Sequence, residues 1–420
     1  MMYMTNADTR ISGLLGWWRD GTPEGRRALV AGSLGWMLDS FDVMLYALVL
    51  AALMKDLGMT KLTAGLLGSV TLVASAIGGI CFGVVADRYG RTRALISSIL
   101  IYSVFTAACG FAQTVAHLAV FRVFLGLGMG GEWASGAALV SETWSSEHRG
   151  KALGFMQSAW AVGYGAAALV VAVVMPIWGW RAVFFVGVLP ACLTVWVQRR
   201  VEEPAMWRER QAVPTRARGS LMDVFRGDLR RLTAAVTLMT ACTMFAWWGF
   251  NQWIPAYLSL PAADGGLGLS TRTMSGFIIA MQVGMWFGYV TFGFISDSIG
   301  RKRAYVMYVL TAAVLMLAYS ITQRPAVLLM LGPIVAFFAT GYFTGFGAIT
   351  AEIYPTDIRA TAQGFTYNAG RIGSAIAPWA VGRIAETSGF GAAFSLSAVA
   401  FVLAAVMWIW IPETKGRELA

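Results

Sequence analysis

The sequence predicts an all-α polytopic membrane protein whose twelve transmembrane helices form two pseudo-symmetric six-helix bundles. Three observations predict it. Of the 420 residues, 57% are hydrophobic and only 13% charged, whereas soluble domains carry roughly a quarter charged residues. The apolar residues gather into twelve stretches, each near the about 20 residues that a helix needs to cross the hydrocarbon layer. The second half of the chain also repeats the first at a constant offset of 210 residues.

Helices are expected because open strands would leave backbone groups unpaired in lipid. A tail over residues 1–27 carries Arg10, Arg19, Arg26 and Arg27 ahead of the first apolar stretch. No small-x-small cleavage site follows at the right distance, so a retained first helix is expected and not a removed signal peptide. The stretches 28–54, 62–86, 94–113, 117–142, 151–176 and 181–200 build an N-terminal bundle over 28–200. Residues 201–230, rich in Arg, Glu, Pro and Gln, are too polar for lipid and too short for a domain. They read as a cytoplasmic linker with room for an amphipathic surface helix. The stretches 231–258, 273–296, 304–322, 326–352, 360–386 and 390–412 build a C-terminal bundle over 231–412, and 413–420 is a cytoplasmic tail.

A net charge of +10 would by itself fit nucleic acid or an anionic lipid surface. Its distribution decides. With both termini cytoplasmic, 24 of the 32 Lys and Arg residues fall in cytoplasmic segments and six outside, while Arg122 and Arg371 lie within spans. That bias is the insertion signal of an inner-membrane protein, and it makes nucleic-acid binding unnecessary. Cys81, Cys109, Cys192 and Cys242 sit singly in apolar stretches and read as reduced packing residues. The two histidines, His117 and His148, fall in short polar connections. No metal site, no cofactor and no enzymatic nucleophile, base and orienter are therefore expected. The string GLGMGGE from Gly126 lies inside a span and follows no strand, so it is not a dinucleotide loop. Glycines four apart, Gly79 with Gly83, Gly126 with Gly130, Gly284 with Gly288 and Gly341 with Gly345, suit tight helix contacts in lipid.

The repeat is clearest at GVVADRYGRTRAL from Gly83 and GFISDSIGRKRAY from Gly293. It pairs Asp87 with Asp297, Arg91 with Arg301 and Arg93 with Arg303, and also Glu142 with Glu352, Arg149 with Arg359 and Gly154 with Gly364. Gly83 and Gly293 should permit close helix approach, and Asp87 and Asp297 can accept from a helix N-terminus or an arginine. Setting topology is the alternative role for these charges.

Ionisable residues within a span cost about 2.5 to 3.5 kcal/mol each on insertion scales and are functional candidates for that reason. Asp39 and Asp42 lie three apart on one face of span 1. Like charges so placed favour taking up a proton, which is what proton coupling needs. Glu132 near the middle of span 4 is a further coupling candidate. Arg122, on the same span, is expected in an intramembrane ion pair with Asp42 or Glu132, and such a static pair is the structural alternative to coupling. Arg371 in span 11 cannot lose its proton and offers a planar fork to a carboxylate, unless it pairs with an acidic neighbour. Asn251, Gln252, Tyr367 and Asn368 are the preferred uncharged substrate contacts, because polar side chains inside a span face protein or water. Gln157, Tyr164, Trp248, Tyr257, Gln282 and Tyr342 are further candidates for lining a cavity.

The doubled G-x-x-x-D-x-x-G-R-x-R connection resembles that of the major facilitator superfamily, over essentially the whole chain. The resemblance implies the major facilitator fold and a cytoplasmic latch, made by this connection against the Glu142 and Arg149 segment, that stabilises an outward-facing state. Ser298 where the first copy has Arg88 implies a weaker C-terminal latch. LDSFD resembles the Asp-Gly-x-Asp motif of aromatic acid and proton symporters, with Ser40 in place of the glycine. GMGGEW and SETWSSEHRGKALG resemble metabolite and sialate or lactate proton symporters, with Ala134 and Ser135 in place of a glycine pair, and WWGFNQWIPAYL with the span 11 arginine resembles the same broad group. The group implies alternating-access uptake of a small organic anion, a monocarboxylate or aromatic acid, together with protons, by a protein expected to be monomeric in the lipid bilayer. A uniporter or a proton-antiport exporter of the same fold is the alternative.

Overall fold

The computed structural model describes residues 16–145, 148–204, 221–227, 229–355 and 358–415. Most of the N-terminal tail, the middle of the linker and the C-terminal tail beyond Lys415 lie outside the described residues. So do the side chains of Asp87 and Arg359, two of the expected latch residues, and the surface helix considered for the linker.

The N-terminal half contains α1 (Pro23–Leu57), α2 (Lys61–Tyr89), α3 (Arg91–Cys109), α4 (Val115–Thr143), α5 (Arg149–Val186) and α6 (Ala191–Arg200). The C-terminal half contains α7 (Leu229–Ser259), α8 (Thr271–Ile299), α9 (Arg301–Ile321), α10 (Pro325–Thr340), α11 (Arg359–Thr387) and α12 (Gly389–Met407). No strand occurs among the described residues. Helix ends follow local chemistry. The Thr22 hydroxyl accepts from the Gly25 amide at the start of α1, and Gly58, at φ 62°, ends that helix in the left-handed conformation.

Ten helical segments among the described residues are long and apolar enough to cross a membrane. One of them, Arg149–Arg200, holds two of the expected spans in 52 residues, divided where Gly179 takes φ 75° three residues after Pro176. The expected eleventh span, α11, is helical but is not among the ten. Arg371, Arg383, Glu386 and a polar first half make it the most hydrophilic route through the fold.

The 210-residue offset is reproduced in three dimensions. It carries the limits of α2 onto those of α8, and the limits of α4 onto Pro325 and Ile353. Here the halves differ: α4 is continuous, whereas α10 passes through a 3-10 turn (Gly341–Thr344) into a second helical stretch (Gly345–Ile353). Close helix contacts repeat as well. A Cβ on Gly78 would stand 2.1 Å from the Leu127 carbonyl oxygen, and one on Gly288 would stand 2.4 Å from that of Phe337, its counterpart. Gly126, Gly130, Gly284, Gly341 and Gly345 are equally confined, as their spacing predicts. Gly83 and Gly293 are not: no described atom lies within 4 Å of where their Cβ would be. The expectation that they permit close helix approach is therefore corrected. Both lie near the end of the bundle that carries the termini, where no neighbouring helix among the described residues reaches the place of their Cβ.

Among the described residues, hydrogen bonds between the halves lie at mid-depth, where the Tyr164 hydroxyl donates to the Asn251 carbonyl at 3.5 Å, and toward the opposite end. There the Lys61 ammonium donates to the carbonyls of Asp264 (2.7 Å) and Ala385 (3.3 Å), and the Leu62 amide to Glu386 (2.8 Å). The Trp379 amide donates to the Ser69 hydroxyl at 3.2 Å.

A candidate transport site between the halves

Near mid-depth a cavity opens between the halves. Trp36, Ser75, Gln157 and Trp160 line it from the N-terminal half, and Trp247, Trp248, Tyr289, Phe343, Tyr367 and Arg371 from the other. The tryptophans form a connected set: Trp36 and Trp160 lie 4.7 Å apart between ring centroids, and Trp160 meets Trp247 at 5.7 Å and Trp248 at 6.2 Å across the interface. Arg371 supplies the single full charge in the lining. No carboxylate of the described residues is in ion-pair contact with it, and its guanidinium lies 5.7 Å from the Tyr367 ring. A cavity walled by aromatic faces with one guanidinium fork suits a small flat molecule bearing a carboxylate.

The three acidic candidates stand behind this cavity, inside the N-terminal half. Asp39, Asp42 and Glu132 are each at most 1% exposed. Among the described residues, both carboxylate oxygens of Asp42 and of Glu132, and one of Asp39, have no hydrogen-bond partner. Glu132 reaches α1 at Gly35, where a Cβ would come within 2.5 Å of its oxygen; the absence of a side chain there makes room for the carboxylate. Asp42 stands beside Thr106, whose hydroxyl donates instead to the Tyr102 carbonyl at 2.8 Å. Asp39 is close enough to both Arg371 and Glu132 for their charges to interact, so it links the buried acids to the cavity wall.

Arg122 requires a correction. Among the described residues it makes no ion pair with Asp42 or Glu132. Its guanidinium carbon lies 3.7 Å from the centroid of the Tyr46 ring, and its Nε donates to the Leu67 carbonyl at 3.5 Å. Arg122 stands on α4 nearer the end opposite the termini, two to three turns from Glu132, and an aromatic face takes the place of a counter-ion.

The uncharged candidates divide. Tyr367, Gln157 and Trp248 line the cavity. Asn251 and Gln252 do not, which corrects their expected place as direct contacts: Asn251 donates to the Trp247 carbonyl one turn back (3.1 Å), and Gln252 is buried against Gly68 of α2. Asn368 is also outside the lining and donates to the Gly364 carbonyl at 2.9 Å. One helical face fits one side of a cavity, so residues adjacent in sequence to a lining residue point elsewhere. Sequence reasoning passed over Trp36, Trp160 and Tyr289, which resemble ordinary packing residues until the interface places them.

At the end that carries the termini, the expected latch residues form matching clusters within each half. Arg91 pairs with Glu142 and Arg301 with Glu352, both at 3.1 Å. Arg301 also pairs with Asp297 and donates to Ser296, and Thr414 donates to Glu352 at 2.6 Å. The replacement of Arg88 by Ser298 leaves this second cluster assembled. Arg93 and Arg303 are exposed, and the partly buried Arg149 begins α5. Two acids missed from sequence complete the clusters. Glu203 accepts from the Thr92 and Arg93 amides (3.1 and 3.2 Å), and Glu413 accepts from the Arg301 and Lys302 amides (2.8 and 3.2 Å). The 210-residue shift carries one onto the other, so the signal was present in the repeat.

The Major Facilitator Superfamily model matches residues 32–281 and 258–420. The chain belongs to this superfamily of transporters. Relatives agree along nearly the whole length. A putative metabolite transport protein of Haemophilus influenzae is 34% identical, over 94% of this chain and 98% of its own. A probable 4-methylmuconolactone transporter of Cupriavidus pinatubonensis is 35% identical, over 96% and 94%. Among solved structures, the Escherichia coli xylose transporter in a partially occluded inward-open conformation matches with a TM-score of 0.76 at 20% identity, over 95% of this chain and all of that one. At that identity the likeness carries the fold alone. The protein is thus a multi-pass membrane transporter.

Proposed function

We propose that this transporter carries a small organic anion, a monocarboxylate or aromatic acid, together with protons by alternating access. The observation that carries the reading is Arg371. It is a permanent cation in an aromatic-walled cavity at the interface of the halves, facing no ion-pair partner there among the described residues and lying within electrostatic reach of Asp39. A substrate carboxylate would pair with the Arg371 fork while its flat body lies against Trp36, Trp160, Trp247 and Trp248. Asp39, Asp42 and Glu132 are the proton-coupling residues. A proton held among them together with an anion on Arg371 lowers the net charge that must cross when the halves reorient. Names of relatives support the chemical class: they include a cis,cis-muconate transport protein at 29% identity, a gentisate transporter at 30% and a benzoate transport protein at 24%. The distribution of basic residues supports an inner-membrane location with both termini cytoplasmic. On that orientation the clusters around Arg91 and Arg301 are the two copies of the cytoplasmic latch, and the hydrogen bonds at Lys61 and Glu386 close the outer side.

The test is uptake into liposomes containing the purified protein under an imposed inward proton gradient, with labelled lactate, benzoate, nicotinate, dicarboxylates and sialate. An acid of this panel is expected to accumulate only while the gradient lasts. Equal counterflow with and without the gradient would replace the symporter by a uniporter, and accumulation against an outward gradient by an exporter. Failure of all acids to enter would overturn the substrate class.

A further inference from the structure

Trp133 is adjacent in sequence to Glu132 but does not line the cavity. Its ring stacks on Tyr367 of the other half with centroids 4.5 Å apart and planes 7° from parallel. Tyr367 does line the cavity, and it precedes Arg371 by four residues, one helical turn nearer the start of α11 at the end that carries the termini. The stacked pair therefore borders the cavity on that side, Tyr367 in its lining and Trp133 behind it. It joins halves whose direct hydrogen bonds, among the described residues, lie at mid-depth or toward the opposite end. Beside it the halves meet through Gly154 and Thr344, where a Cβ on the glycine would come within 3.2 Å of the threonine methyl; such small groups offer little to block passage. The repeat is broken here. The counterpart of Trp133 is Phe343, which lies in the 3-10 turn of the other half and turns into the cavity against Trp247 at 5.8 Å. One ring of the pair thus walls the site, while the other has left the wall to hold a partner across the interface.

We propose that the Trp133 and Tyr367 stack is a removable floor of the transport site, and that Trp133 is the positioning residue that keeps Tyr367 beneath Arg371. This rests on the cavity being the transport site. Two flat rings can slide apart by side-chain rotation without moving a helix, whereas the opposite end is held by backbone-to-side-chain hydrogen bonds. Substrate would then leave toward the termini through this floor, and the floor would retain substrate before release.

The test needs neither substrate nor protons. In a background carrying Cys81→Ala, Cys109→Ala, Cys192→Ala and Cys242→Ala, Ser75→Cys places one thiol in the cavity. A membrane-impermeant thiol reagent is added on the termini side of oriented proteoliposomes. Trp133→Ala is expected to speed labelling about threefold to tenfold, the factor that loss of one aromatic stack gives. Trp133→Phe, which still stacks, should stay near the parent rate. Should Trp133→Ala not fold, Tyr367→Leu opens the same barrier from the other half and should label as fast as predicted for it. Unchanged labelling in a folded variant, or Trp133→Phe labelling as fast as Trp133→Ala, would overturn the proposal. Faster labelling without uptake of any acid would sink the proposed substrate alone; unchanged labelling with normal uptake would sink the floor alone.

Discussion

The proposed chemistry centres on Arg371 and Asp39, which lie in opposite halves within electrostatic reach of each other. Arginine is suited to this position because its charge is permanent and its fork is planar, so a lysine keeps the charge and loses the two-pronged geometry. Arg371→Lys should reduce uptake of the transported acid by about tenfold or more, consistent with the loss of one charge-assisted hydrogen bond, and Arg371→Ala should abolish it. Normal uptake by Arg371→Ala would remove the residue from the site. Asp39→Asn and Asp42→Asn should each abolish gradient-driven accumulation while leaving exchange of labelled for unlabelled substrate measurable; accumulation at the parent level would end the coupling assignment. Arg122 answers to a different measurement. Tyr46→Phe keeps the ring under the guanidinium and gives up the hydroxyl bond to the Ala64 carbonyl (2.8 Å), whereas Tyr46→Leu removes the ring. The second should cost about 1 to 2 kcal/mol more in thermal unfolding than the first, the worth of a desolvated cation over an aromatic face. Equal costs would show that the ring does not hold the charge.

Among the helices, the acids at the starts of α3 and α9 act on whole elements. Glu413 lies where the unpaired amides that begin α9 converge. Burial works against its charge, yet the backbone N–H groups of Lys415, Arg301, Thr414 and Lys302 hold its carboxyl below the ordinary glutamate value. A depressed carboxyl stabilises the fold fully above its unfolded pKa, and that contribution is lost as pH falls through the lower folded value. Glu413→Gln should therefore lower stability by about 0.3 to 1 kcal/mol at neutral pH, and by progressively less as pH falls below the ordinary glutamate value of 4.5. A cost independent of pH would mean that shape and not charge is what Glu413 supplies. Glycine contacts act on helix spacing instead. A Cβ at Gly130 would stand 1.9 Å from the Ser75 carbonyl oxygen, and one at Gly284 would stand 2.0 Å from that of Pro333. Gly130→Ala and Gly284→Ala must each push two helices apart.

Over the whole molecule, the balance between the two ends sets the conformation. The end that carries the termini is tied within each half by the ion pairs of Arg91 and Arg301, while the opposite end is tied between halves through Lys61, Ser69 and Glu386. Exposed charged contacts of this kind contribute about 0.2 to 1 kcal/mol each. Combining Lys61→Ala with Glu386→Gln should therefore shift the equilibrium toward closure at the termini end by about twofold to thirtyfold. Labelling of single cysteines placed at the two ends would read the shift as faster reaction at the opposite end and slower reaction near the termini. Unchanged ratios would show that helix packing alone holds that end shut.

By itself the sequence determined the helical class, the two halves and their 210-residue repeat, because apolar length and helix period are local properties that survive in one dimension. It also identified every charge buried within the spans, since the cost of a charge in lipid marks such residues wherever they point. Only the tertiary structure decided what each charge meets. Arg122 lies on a tyrosine ring and not on a carboxylate, Arg371 faces a cavity, and the three acids stand behind it. It also decided which neighbours of those charges line the site. Asn251 and Gln252 look inward in a linear reading, but Asn251 spends its amide on its own helix and Gln252 packs against α2, whereas Trp36 and Trp160 looked like packing and form the wall. The physical reason is that a cavity between two bundles is made by the relative placement of helix faces. That placement depends on contacts, such as glycine against carbonyl and ring against ring, between residues far apart in the chain.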